Sequence, residues 1–124
     1  MNGETYMEVK NCSQKRLHEK VVSKANAKMI GAQKIDKLCR TYKALAEPSR
    51  VKLLLALLSG ELCVYHLAEV TGSTQSAVSH QLRVLRDADI VRCRRDGKSV
   101  VYALADKHVC DMLKKSVQHL ECEQ

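Results

Sequence analysis

The stretch Glu61–Leu104, ELCVYHLAEVTGSTQSAVSHQLRVLRDADIVRCRRDGKSVVYAL, decides the fold. A short helix over about 63–70 is predicted to stop at Thr71-Gly72-Ser73, with Leu62, Leu67 and Val70 buried. A second helix, about 74–88, starts at Ser73 or Thr74, either of which can accept from orphan amides of the first turn. Its apolar residues Val78, Leu82 and Leu85 recur at i, i+4 and i+7, the spacing of a core-facing stripe. Two strands, about 90–95 and 99–104, flank Asp96-Gly97, the dipeptide that turns a hairpin because glycine accepts positive φ. Helix, glycine turn, helix and hairpin make a winged helix-turn-helix, which sets one helix in a DNA groove. The fold expected is mainly α with a small β-hairpin.

Outward from this core, a helix over about 33–46 carries Ile35, Leu38, Tyr42 and Leu45 at helical spacing. Pro48 fits the first turn of the next helix, about 49–58, because its missing N–H is an orphan there anyway. Val51, Leu54, Leu55 and Leu58 are its expected inward face. A last helix, about 107–121, has an apolar stripe of Val109, Met112, Leu113, Val117 and Leu120. Residues 1–30 read as a polar, partly flexible arm in which the strongly charged segment of about 14–28 can be helical; residues 31–124 read as the DNA-binding and dimerisation domain.

The chain has 124 residues and neither Trp nor Phe, so its core is aliphatic and modest. One small domain cannot cover the stripes of its terminal helices, and a homodimer through them is expected. The net charge of +7 suits a polyanionic partner. No apolar run approaches the ~18 residues of a membrane span, and the opening MNGETYMEVKNC has no signal-peptide core. A cytoplasmic address and no membrane partner follow. Six Cys in a reducing compartment read as free thiols or metal ligands rather than disulfides. No oriented Cys–His–acid set or glycine-rich phosphate loop points to an enzyme.

On the second helix of the motif, Gln75, Ser76, Ser79, His80 and Arg83 lie off the apolar stripe. Gln75 can pair with adenine, Arg83 with guanine or phosphate, and the short polar side chains can approach base edges. Arg92, Arg94, Arg95 and Lys98 concentrate charge on the hairpin, where phosphate contact would position the protein without reading sequence.

TQSAVSHQLRVLRDADIVRCRRDGKSVVYAL, with LAEPSRVKLLLALL before it and ELCVYHLAEV between, resembles the ArsR/SmtB family of metal-responsive repressors over about residues 35–122. The resemblance implies a homodimeric winged-helix protein that binds double-stranded operator DNA when metal-free and releases it on binding metal. It also frames two sets of potential ligands. Asp106, His108, His119 and Cys122 are all competent for zinc. His108 and His119 share a helix face to within about 20° but stand about 16 Å apart along the axis, so one helix cannot bring both to one ion. Two antiparallel copies can, joining Asp106 and His108 of one protomer to His119 and Cys122 of the other. The family pattern Asp-x-His…His-x-x-Glu matches at the first three positions and departs at Cys122, whose thiolate favours softer ions such as cadmium.

The second set is Cys63 and His66 with Cys12 and His18 of the arm. Cys63 stands where the resemblance implies a ligand, while His66 stands where Asp is common. The expected ligand is a divalent ion, zinc or cadmium. Cys39, Cys93 and Cys110 read as packing residues. Two other readings stand beside this one: a thiol-based repressor answering to arsenite, persulfide or oxidation, and a metal-binding module without operator specificity. The dimer is testable at once. Sedimentation equilibrium at micromolar concentration is expected to give twice the 13.9 kDa chain mass without metal; a monomer would remove the paired-helix ion site as well.

Overall fold

A computed structural model describes residues 12–122. Backbone contacts divide the chain into two units, Met1–Ile35 and Asp36–Gln124. In the first, the charged segment does form a helix, α1 (Lys15–Lys28), none of whose residues is buried. Most of the expected polar arm before it lies outside the described residues. The helix α2 (Ala32–Leu45) begins in the first unit and runs on into the second, where Ala44 reaches the core.

The second unit then runs α3 (Pro48–Leu57), β1 (Leu62–Cys63), α4 (Val64–Thr71), α5 (Gln75–Asp87), β2 (Val91–Asp96), β3 (Ser99–Leu104) and α6 (Lys107–Glu121). The architecture is mostly helical, as expected, but the wing is larger than a hairpin. Three antiparallel strands lie in the order β1-β3-β2, with Leu62 opposite Tyr102 and Cys63 opposite Val101. The hairpin register pairs Asp96 with Ser99, so the loop is Gly97-Lys98; the first strand starts and ends one residue later than expected, and the second lies where it was expected. Gly97 has φ +64°, at the first loop position where a two-residue hairpin turn needs it.

Caps fix the helix-turn-helix. Thr74 accepts from the Ala77 amide at 3.1 Å and opens α5. Gly72, at φ +70°, ends α4, and the Ser73 amide returns to the Ala68 carbonyl. At the far end of α5, Asp89 takes the left-handed conformation usually given to Gly. Its amide bonds to Arg86, that of Ile90 bonds to Leu85, and the Leu85 and Ile90 side chains are both buried, which completes a Schellman-type end.

The core is aliphatic. Leu53, Leu54, Leu67, Val78, Leu82, Leu85 and Ile90 are its most deeply buried side chains, and Leu113 brings α6 onto it. The α5 stripe is as expected. The α3 face is not: Leu53, Leu54 and Leu57 point inward, whereas Leu55 is exposed and Val51 and Leu58 are half-buried. Val70, expected inside, is 62% exposed, because Leu67, Ala68 and Thr71 make the inward face of α4 and Val70 falls off that face. Leu82→Ala would open a cavity at the crossing of α5 with the other core helices. We expect a loss of about 2–5 kcal/mol by urea denaturation; a loss under about 1 kcal/mol would mean that the core collapses around the site.

Candidate metal and nucleic-acid sites

The five polar residues proposed to read DNA are all exposed on α5. At 100° per residue Gln75, Ser76, Ser79, His80 and Arg83 span an arc of about 140°, clear of the roughly 60° arc of Val78, Leu82 and Leu85. The same arc contains Arg86, seven residues beyond Ser79 and also exposed, which the sequence reading passed over. Its signal was present: it stands at i+3 from Arg83 and i+7 from Ser79. Ser79, Leu82, Arg83, Arg86 and Asp87 line a groove of about 510 Å³ with Tyr102 of β3, so Arg83 and Arg86 face a concave surface between helix and wing.

On the wing, Arg92, Arg95 and Lys98 are exposed. Arg94 is different. Its Nε and Nη2 donate to the two carboxylate oxygens of Glu61, at 3.1 and 2.7 Å. The Arg94 guanidinium, more than that of Arg92, holds the Glu61 carboxyl below its ordinary range, and Glu61 in turn raises Arg94. The charge that the sequence assigned to phosphate is therefore occupied within the chain.

The potential metal ligands come in pairs. Asp106 caps α6, its Oδ1 accepting from the Val109 amide at 3.0 Å while Oδ2 stands 3.6 Å from His108 Nδ1. The Val109 amide, then His108, holds the Asp106 carboxyl below its usual value. His119 lies in the last turn of the same unbroken helix, with Cys122 at its end; all four side chains are exposed. Cys63 Sγ lies 3.1 Å from His66 Nδ1, where β1 passes into α4. The backbone amide of His66 lowers the Cys63 thiol pKa most, followed by the His66 side chain. In the first unit, Cys12 Sγ lies 2.8 Å from His18 Nδ1.

Zinc bonds of about 2.0–2.3 Å in a tetrahedron put neighbouring ligand atoms about 3.3–3.7 Å apart. The Asp106–His108 and Cys63–His66 separations lie near that edge length, so each pair fits half of a shell. Among the described residues, no three His, Cys, Asp or Glu side chains gather in one protomer. Of the other thiols, Cys93 and Cys110 are half-buried, and Cys110 packs on the core as expected. Cys39 is exposed on the protomer, so it does not pack there.

The model of the family "Bacterial regulatory protein, arsR family" matches residues 47–92, from the N-cap of α3 to the second residue of β2. A transcriptional repressor SmtB homolog of Synechocystis sp. is 38% identical over 89% of this chain and 83% of its own. The chain belongs to the ArsR family. A cadmium resistance transcriptional regulatory protein CadC homolog of Staphylococcus aureus is 35% identical over 87% of this chain and 89% of its own. Among solved structures, the homodimeric winged helix-turn-helix DNA-binding domain of Mycobacterium bovis, a possible ArsR-family regulator, superposes with a TM-score of 0.68. It shares 31% identity and covers 73% of this chain and 87% of its own. As an ArsR-family chain the protein is a DNA-binding transcriptional repressor, not an enzyme. Membership of a family of transcriptional repressors speaks against a metal-binding module without operator specificity. No described helix is long and apolar enough to cross a membrane.

The depressed Cys63 thiol has a direct readout. Alkylation of Cys63, followed by peptide mass spectrometry against pH, is expected to show a midpoint below the ordinary thiol value of about 8.5. The thiolate is the reactive form, so reaction persists as pH falls and fades only through the lowered pKa. A midpoint at or above 8.5 would mean that the His66 amide does not face the sulfur in solution.

Proposed function

We propose that this ArsR-family chain is a homodimeric, metal-responsive repressor. It holds operator DNA without metal and leaves it on binding a divalent ion of the zinc or cadmium type. The observation that carries this reading is the pair Asp106 and His108, 3.6 Å apart at one end of α6, with His119 and Cys122 at the other end of the same helix. Two donors at each end of one helix are half-sites, and an antiparallel partner helix supplies the missing halves. Leu120 is 82% exposed near the second half-site, which supports pairing of these helices in a dimer. The ion would act as a cross-link between protomers, held by Asp106, His108, His119 and Cys122. His108 and His119 must be neutral to bind and Cys122 ionised, so occupancy is expected to rise with pH.

DNA recognition is assigned to Gln75, Ser76, Ser79, His80 and Arg83 on α5, joined by Arg86, with Arg92, Arg95 and Lys98 on phosphates. Metal and operator favour different arrangements of the two protomers, and each weakens the other by the same factor, about 5–150-fold for a coupling of ~1–3 kcal/mol.

A second reading keeps the repressor and moves the sensor. Cys63 and His66, 3.1 Å apart with a lowered thiol pKa, support either a second ion site completed by Cys12 and His18 or a thiol switch. Completing the ion site from the arm carries an ordering cost, and we rank the α6 site first. The test is fluorescence anisotropy on a duplex selected for binding from a randomised pool, titrated with zinc and with cadmium. His119→Ala is expected to keep metal-free affinity and to lose metal-driven release, while Cys63→Ser still releases. Release by the His119 variant with none by the Cys63 variant would move the sensor to the α4 end. Release by both metals from neither wild type nor variants would leave the thiol switch.

A further inference from the structure

Glu61 and Arg94 are 33 residues apart in sequence and meet in a two-pronged ion pair. The pair is not on the ladder that builds the wing. Glu61 directly precedes β1, the short strand Leu62–Cys63, while Arg94 lies on β2 at the opposite edge of the sheet, with β3 between them. The side chains therefore join the start of β1 to β2 across β3, on the sheet face that carries Val101, the register partner of both Cys63 and Arg94. A two-residue strand makes few ladder bonds and holds its edge weakly. A planar guanidinium gripping both carboxylate oxygens fixes orientation as well as distance.

We propose that Glu61 is a positioning residue for the wing. Its carboxylate clamps Arg94, sets the angle of the β2–β3 hairpin against the helix-turn-helix, and keeps the Arg94 charge out of the phosphate contacts. The inference rests on the DNA-binding reading for its functional consequence, but the clamp itself is readable without DNA. Phosphate contact then falls to Arg92, Arg95 and Lys98, whose side chains are exposed and form no ion pair within 4.0 Å among the described residues.

The two roles open to Arg94 give opposite results. A phosphate contact releases counterions, so its loss flattens the dependence of log affinity on log salt by about 0.9. A clamp does not. We expect Glu61→Ala and Arg94→Ala each to weaken binding to the selected duplex by roughly twofold to fivefold, the range of an exposed ion pair, with the salt slope unchanged. The double variant should be no weaker than the poorer single one, and the reversed pair Glu61→Arg with Arg94→Glu should recover most of the loss. Lys98→Ala, as a control, should flatten the slope. In the free protein, amide exchange across the β1–β3 register should quicken in both single variants, with the α5 amides unchanged; this also shows that the variants fold. A flatter slope for Arg94→Ala together with tighter binding by Glu61→Ala would overturn the proposal, as would unchanged exchange and affinity in both. If wild type selects no duplex, the repressor reading fails, and the exchange data alone then decide whether the clamp exists.

Discussion

One guanidinium joins the pieces on which the reading helix rests. Arg50 Nε donates to the Ala44 carbonyl at 2.6 Å and Nη2 to that of Lys43 at 3.4 Å, while Nη1 donates to Gln81 Oε1 at 3.1 Å. The carbonyls belong to the last turn of α2: that of Lys43 also accepts from the Ala46 amide at 3.2 Å, while four residues beyond Ala44 stands Pro48, which has no N–H to offer. Gln81 lies on α5, between the residues proposed to face DNA and the Leu82 that anchors the helix in the core. Arg50 thus ties the end of α2, the start of α3 and the middle of α5 through one rigid fork. Its own placement is set by Glu47, which caps α3, accepts from Ser49 and the Arg50 amide, and stands 3.9 Å from the guanidinium. At 18% side-chain exposure Arg50 is half-buried, and each of its three nitrogens donates within the chain, so its charge is tolerated there.

Arg50 also explains what the sequence concealed about α3. The inward residues are Leu53, Leu54 and Leu57, and Arg50 stands at the head of that stripe. The face expected from the sequence, Val51, Leu54, Leu55 and Leu58, is the same i, i+3, i+4, i+7 set moved by one residue. The segment RVKLLLALL is apolar almost all round, so periodicity does not choose a face, and an Arg at the first position looks like surface. The α5 stripe was legible because polar residues separate Val78, Leu82 and Leu85. The hairpin was legible because Asp-Gly is a local signal. β1 was not: two residues make no pattern, and only pairing with a strand almost 40 positions on makes them a strand. The Glu61–Arg94 pair was hidden for the same reason, and Arg94 read as one more free cation.

The candidate metal residues were legible as types and spacings but not as assembled sites. Sequence placed Asp106, His108, His119 and Cys122 on one helix, and α6 runs unbroken from Lys107 to Glu121 with Asp106 and Cys122 as its caps. Sequence could not show that Asp106 serves two ends, capping the Val109 amide with one oxygen and meeting His108 with the other. That division has a consequence for rigidity. A ligand that also caps a helix is held in its rotamer by the helix, so less ordering is left for the ion to impose. Cys63 differs: it is the N-cap position of α4 but makes no cap hydrogen bond there, and its Sγ instead stands 3.1 Å from His66 Nδ1.

Both ligand pairs also converge on one structural element. Cys63 lies opposite Val101 on β3, and Asp106 follows Leu104, the last residue of β3, by two positions. β3 is the middle strand of the wing, bounded on one side by β1 and on the other by β2. A displacement of either pair therefore bears on the strand that carries Tyr102 into the groove beside Arg83 and Arg86. Linkage requires only that an ion bind one arrangement of this strand better than another, by as much as it weakens DNA binding. The two candidate pairs lie at the β1 edge and at the β3–α6 junction. On the proposed function, an ion at either pair would act on β3 while α5 stays held by Arg50 and the core leucines.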